Sequence, residues 1–204
     1  MYIPSSCKIN DISVAHDFIN EFGFGVIVSS SLTGTHLPFV LHRNEGEHGA
    51  LYSHFAKVNP HWQELEGTEV LIIFLGPHSY ISPNWYALSP AVPTWNYASV
   101  HAYGKVVLLN GNQTLEAVEE VVQQYEPNLL VKRDLITNEF RDKLLSGIVG
   151  FKIELSKIEG NQKLGQQRKR EDQIGVYNAL KNSEDLDAQS LAKYMEQKSL
   201  GTGS

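Results

Sequence analysis

Apolar and polar positions along the chain change period several times, and each change marks an element. From Asp11 to Phe22, Val14, Phe18, Ile19 and Phe22 recur at helical spacing. Asp11 is placed to cap that helix and Gly23 to stop it. Strands follow: Phe24–Ser31 is apolar and β-branched, Leu37–Arg43 comes after a Thr-Gly-Thr turn, and Ala50–Lys57 follows a hairpin loop at Asn44–Gly49. Asn59-Pro-His-Trp62 reads as a short helical turn. Val70–Leu75 has the pattern of a fully buried strand, and Tyr80–Ser82 and Thr94–Leu109 of further strands. Helical spacing returns at Thr114–Tyr125, where Leu115, Val118, Val121, Val122 and Tyr125 line one face, and again at Asn138–Ile148. Phe151–Ile158 alternates as a half-exposed strand. Arg170–Lys181 and Asp187–Lys198 are terminal helices, and the Gly-Thr-Gly-Ser end is expected to be flexible.

Many short strands with few long helices between them predict a mainly β fold with α additions, an antiparallel barrel rather than a doubly wound sheet. No Gly-x-Gly-x-x-Gly stands at a strand-to-helix junction, so a dinucleotide site of that type has no support.

At 204 residues, 42% hydrophobic and 20% charged, the chain is long and apolar enough to build its own core. Its single cysteine, Cys7, excludes an internal disulfide and fits a reducing compartment. The start, Met1-Tyr-Ile-Pro, lacks a basic region followed by an apolar one, and the six-residue run at Val70 falls short of the about 20 needed to span a bilayer. A cytoplasmic protein without a membrane partner is expected. The net charge of −6 runs against DNA binding as the main activity, because phosphate contacts come from Lys and Arg.

All three Trp and most of the eight His fall between Thr35 and Tyr103. Three segments there combine rings with hydroxyl, amide or imidazole groups beside prolines: Ser53–Trp62, Gly76–Tyr86 and Val92–Tyr97. A planar cofactor with a phosphate tail needs such groups. Rings give stacking surface, hydroxyls and amides read ring edges, and Lys or protonated His neutralises phosphate. Filling of a barrel core or a dimer seam is the structural alternative. Strand parity from Thr94 to Leu109 puts Trp95, Tyr97, Ser99, His101 and Tyr103 on one face, suited to a cleft or interface. Ala98, Val100, Ala102 and Gly104 fall on the other, suited to the barrel interior.

The succession Met-Tyr-x-Pro at the start, Thr-His-Leu-Pro-Phe (35–39), His-Phe-Ala-Lys-Val-Asn-Pro-His-Trp (54–62), Gly-Pro-His-Ser-Tyr-Ile-Ser-Pro-Asn-Trp-Tyr (76–86) and Val-Pro-Thr-Trp-Asn-Tyr (92–97) resembles the PaiB family of FMN-binding proteins. The likeness reaches Lys163-Leu-Gly-Gln166 and Asp172–Val176. It departs where Gly165 and Gln167 stand in place of Ser and Asn. The resemblance implies a split β-barrel like that of pyridoxine-phosphate oxidase, working as a homodimer with FMN at the subunit interface. It also implies a role as a negative transcriptional regulator of protease synthesis and sporulation. It places His54 and Lys57 near the FMN phosphate, Ser82, Trp85 and Tyr86 near the ribityl chain or ring, and Thr94, Trp95 and Asn96 around the rest. Asn59 and Tyr80 belong to the same segments. The expected organisation is an FMN-binding domain over 1–160 and a helical extension over 161–204.

Competing constellations are weaker. The histidines show no metal-ligand spacing, and Cys7 has no adjacent base. The basic run Lys163–Arg170 reads either as an anion contact, to DNA backbone or FMN phosphate, or as a solvated loop. No helix-turn-helix is legible in the terminal helices. Regulation through DNA or a protein partner, and an FMN-dependent oxidoreductase with Tyr86, His78 or His101 relaying protons, remain as two functional classes.

Overall fold

The computed structural model describes residues 1–129 and 137–204. In chain order the elements are β1 (Lys8–Ile9), α1 (Ile12–Glu21), β2 (Phe24–Val28), β3 (Gly34–Pro38), β4 (Val40–His42), β5 (Ala50–Ala56), β6 (Glu69–Ile81), β7 (Thr94–Leu108), α2 (Gly111–Tyr125), α3 (Asn138–Leu145), β8 (Ile148–Lys163), α4 (Arg170–Lys181) and α5 (Leu186–Lys198). The strands form one sheet in the order β3-β2-β6-β7-β8-β5-β4, with β1 on β8. The pairings β1/β8, β2/β3, β2/β6, β4/β5 and β5/β8 are antiparallel. This is the mainly β, antiparallel split-barrel class with helical additions that the strand pattern predicts.

Two compact units share these strands. One contains Met1–Asp11, Leu75–Val100 and Glu159–Ser204, and the other Ile12–Phe74 and His101–Ile158. The core of the second is aromatic. Phe39 meets Phe74 edge-on at 5.6 Å and Phe151 at 6.3 Å, and Phe55 stacks on Phe151 at 4.8 Å. In the first unit, Leu180, Leu191, Tyr194 and Met195 of α4 and α5 are buried, and the Tyr194 hydroxyl accepts from Gln162 Nε2 at 2.5 Å. Fully burying side chains of this size stabilises by roughly 1.5–3 kcal/mol each.

Several boundaries differ from the pattern, each for a physical reason. The strand expected at Leu37–Arg43 is two strands, β3 pairing with β2 and β4 with β5. Phe39 between them turns into the core and donates its N–H to Gly23 O instead of continuing a ladder. The runs at Val70–Leu75 and Tyr80–Ser82 are one continuous strand, β6. Its inward positions change phase. Val70, Ile72, Phe74 and Gly76 are buried, then Ser79 and Ile81, with the shift at Pro77-His78. β8 is twice the expected length. The C-terminal Gly-Thr-Gly-Ser is held, since Gly203 O accepts from Arg170 Nε (2.7 Å) and Gly203 N donates to Gln173 Oε1 (3.2 Å). Parity along β7 follows expectation except at Ser99: Ala98, Val100 and Ala102 are buried, Tyr97, His101 and Tyr103 partly exposed and Trp95 exposed, but Ser99, expected on the Trp95 face, is buried, its hydroxyl donating to Met1 Sδ (3.5 Å).

Candidate functional site

The site residues named from the sequence fall into two groups, one in each unit. His54, Lys57 and Asn59 belong to the second unit. His54 lies in β5 with its Nδ1 buried and without a hydrogen-bond partner. Burial holds its imidazole below the ordinary value. Lys57 is exposed. Its backbone is committed, the N–H to Gly147 O and the carbonyl to Trp62 Nε1 (3.1 Å), while no hydrogen bond or ion pair fixes its ammonium among the described residues. Asn59 caps the turn at Pro60–Glu64: its Oδ1 accepts from His61 N (3.0 Å) and its Nδ2 donates to Thr35 Oγ1 (3.3 Å).

Asn59 leads into a chain of groups that sequence reading did not single out. Thr35 Oγ1 and His61 Nδ1 share a hydrogen bond of 2.8 Å, and His61 Nε2 stands 3.6 Å from Glu64 Oε1. That carboxylate accepts from Ser29 (2.7 Å) and Ser31 (2.6 Å), and those hydroxyls hold it below the ordinary range. Burial lowers the His61 imidazole against the pull of Glu64. The residues joined here lie up to 35 positions apart, so no local spacing announces them.

The remaining seven residues belong to the first unit. Trp95 opens its ring to solvent at 48% exposure, with the His78 ring 5.9 Å and the Tyr80 ring 6.3 Å away. His78 Nδ1 is buried and without a hydrogen-bond partner. Ser82 caps the turn at Pro83–Trp85 by accepting from Asn84 N (3.2 Å). Trp85 lies against α4, where a Cβ on Gly175 would stand 2.2 Å from its carbonyl oxygen. The Tyr86 ring carries the Arg168 guanidinium 4.8 Å from its centroid. Buried Asp172 of α4 accepts from Leu88 N (3.1 Å) and so pins the loop that holds Trp85 and Tyr86. Thr94 Oγ1 accepts from Lys163 Nζ (2.6 Å), and Asn96 is buried.

The structure thus gathers His78 and Tyr80 around Trp95, and ties Thr94 to Lys163. It also gathers Asn59 with Thr35 and His61. His101 lies in β7 beside Tyr103, with ring centroids 6.5 Å apart. Among the described residues no three His, Cys, Asp or Glu gather so as to hold a metal ion, and no helix is long and apolar enough to cross a membrane.

Residues 1–157 match the family model described as "Putative FMN-binding domain". The chain belongs to this FMN-binding family. FMN is its cofactor, and the first unit's groups fit that ligand: an open indole for a planar ring, a buried imidazole nitrogen without a partner, and an ammonium bound only to neutral oxygens. Among members, the chain is 36% identical to "Protease synthase and sporulation protein PAI 2" of Bacillus subtilis (strain 168), covering 97% of this chain and 98% of the relative. Its fold is similar to that of the flavocytochrome Anf3 from Azotobacter vinelandii. The TM-score there is 0.57 at 13% identity, over 80% of this chain and 73% of that one. A FAD and heme binding protein from Mycobacterium smegmatis gives a TM-score of 0.56 at 11% identity, over 78% and 74%.

Proposed function

We propose that this protein is a cytoplasmic, homodimeric FMN-binding regulator of the PaiB type, with the flavin ring seated on the Trp95 face. The observation that carries the site is the half-exposed Trp95 ring flanked by His78 and Tyr80. An indole left open beside two other rings is poised for stacking on a planar ligand. The regulatory part of the reading rests on the likeness to the sporulation protein of Bacillus subtilis. The dimer reading draws on the large apolar side chains that the first unit leaves exposed: Leu75, Tyr80, Leu88, Val92 and Trp95, each 43–65%.

When bound, FMN supplies one- and two-electron redox chemistry. The chain's own part is to position and shield. Trp95 gives stacking surface, Tyr80 its edge, and His78 Nδ1 a hydrogen bond that no group among the described residues satisfies. Ser82, Trp85 and Tyr86 border the same unit on a loop pinned by Asp172. His54, Lys57 and Asn59, in the other unit, are assigned to the cofactor by family likeness.

The decisive experiment is the visible spectrum of the purified protein and the mass of any released chromophore. A yellow protein releasing FMN supports the reading; a colourless protein that takes up no added FMN ends it. Size-exclusion chromatography with light scattering tests the dimer, and a gel shift at stated salt against unrelated DNA tests direct DNA binding. A second reading, FMN-dependent oxidoreductase, is favoured by the unpartnered His78 nitrogen beside the proposed ring seat. Steady oxidation of a reduced nicotinamide, lost in His78→Ala, would support it.

A further inference from the structure

Two arginines of the basic run that follows β8 are tied to distant parts of the first unit, and one amide side chain joins them. Arg170 Nε donates to Gly203 O at 2.7 Å, and the Arg168 guanidinium lies 4.8 Å from the centroid of the Tyr86 ring. Gln173 of α4 reaches both places. Its Oε1 accepts from Gly203 N (3.2 Å), while its Nε2 donates to Arg168 O (2.7 Å) and Gln166 O (3.2 Å). One amide therefore holds the tail 201–204 with its oxygen and the turn 165–168 with both of its N–H groups.

The tail is closely seated. Gly201 and Gly203 are buried, with φ of +72° and +76°. A Cβ on Gly201 would stand 2.1 Å from Leu164 O, and one on Gly203 2.5 Å from Ile174 Cγ1 and 2.9 Å from Arg170 O. Left-handed backbone with no room for a side chain is a fitted geometry, open to glycine alone. The turn is fitted too. Arg168 N donates to Gly165 O (2.9 Å), and Gln166 accepts from Leu164 N (2.9 Å) and donates to Gln162 O (2.6 Å) and Ser6 O (2.9 Å).

The loop 86–93, between the turn at Pro83–Trp85 and β7, is made differently. It has no regular structure, and residues 87–90, 92 and 93 are exposed. Among the described residues two polar contacts fasten it from a distance: the Arg168 guanidinium on the Tyr86 ring, and Leu88 N donating to Asp172 Oδ1 (3.1 Å). Asp172 directly precedes Gln173, so α4 holds this loop twice, once by its own carboxylate and once through the turn that carries Arg168. All these groups belong to one unit.

We propose that the tail 201–204 is a latch for the loop 86–93 and thereby regulates the flavin site, with Gln173 as the positioning residue between them; the flavin part rests on the placement of Trp85 and Tyr86 given above. With Gly203 seated, the Gln173 amide is oriented, the turn is fixed and Arg168 stays on Tyr86. With Gly203 withdrawn, the amide loses a partner, and turn and loop loosen together. Coupling of this kind is reciprocal: flavin that favours the ordered loop also favours the seated tail.

The test is limited chymotrypsin digestion of the full chain, with and without FMN, in which mass spectrometry follows the cuts after Tyr86 and Leu88. A fluorescence titration with FMN accompanies it. Gly203→Val has no room for its side chain and should speed both cuts by about 3- to 10-fold, the usual worth of one lost hydrogen bond. Arg168→Ala should do the same, and the double variant should add little to either single change, since both act on one contact. Gln173→Glu keeps the acceptor for Gly203 N but loses the N–H groups that hold the turn, so it carries the test if Gly203→Val melts early. FMN should slow both cuts in the unaltered protein, and each variant should weaken FMN by a similar few-fold. Unchanged cutting, or effects of Gly203→Val and Arg168→Ala that simply add, overturns the latch. Coupled cutting that bound FMN does not slow overturns its control of the flavin site. A protein that binds no FMN overturns the FMN reading, and coupled cutting then supports the link between tail and loop by itself.

Discussion

Gly175→Ala sets two opposed effects against each other in α4. Alanine favours a helix over glycine by about 1 kcal/mol, which by itself would raise stability. The new Cβ, however, would stand 2.2 Å from the Trp85 carbonyl oxygen and 3.4 Å from its carbon. Non-bonded contact needs more than 3 Å, so the Trp85 peptide must withdraw by roughly 1 Å. That peptide sits in a short turn, where Trp85 N donates to Ser82 O, and the loop beyond it is tied to buried Asp172 through Leu88 N. Overpacking of this kind costs about 1–3 kcal/mol, and loosening the hydrogen bond to a buried carboxylate costs a comparable amount. Less the helix gain, the balance is a loss of about 3 kcal/mol, a fall in melting temperature of roughly 6–12 °C for a chain of this length. A thermal melt by circular dichroism reads it directly. A melting temperature unchanged or raised would mean that helix propensity outweighs the contact and that the Trp85 loop is not seated on α4.

Further outcomes are expected. Thr35→Val should leave buried His61 Nδ1 without its partner and cost about 1–3 kcal/mol in chemical denaturation; a neutral result removes the Thr35–His61 bond from the account. Burial keeps the His54 and His61 imidazoles below their ordinary 6.5, so the unfolded chain takes up these protons first. Their contribution is complete above about pH 6.5 and is lost as pH falls below it, and His54→Gln should flatten that slope in melts between about pH 7 and 5. Lys57→Ala should weaken FMN by only a few-fold in a fluorescence titration, about the worth of an exposed ion pair; an unchanged affinity removes Lys57 from the site.

Parity and punctuation made most of the sheet legible. Along β7 the small residues Ala98, Val100 and Ala102 already alternate with Tyr97, His101 and Tyr103, and the structure buries the first set. β6 was read as two pieces because its alternation slips at Pro77-His78, and a local pattern cannot tell a phase change inside a strand from a gap between strands. β3 and β4 merged for the converse reason: nothing local says that Phe39 turns inward and that the flanking residues pair with different strands. At the site, the motifs located the segments. The partners were hidden, since Lys163 meets Thr94 across 69 positions and Thr35 meets His61 across 26. The bare imidazole nitrogen of His78 has no signature short of three dimensions.

The length of β8 bears on how this protein can be cut. The family match stops at residue 157, but the strand runs on to Lys163. Its last residues include Asn161 and Gly160, the register partners of Lys8 and Ile9. Asn161 also donates to the Tyr97 hydroxyl at 2.9 Å. A chain ended at 157 would leave β1 an unpaired edge and expose the backbone of β7 to intermolecular pairing. Such a fragment should be recovered from expression as aggregate, and the shortest soluble piece should extend at least through the turn that follows Lys163.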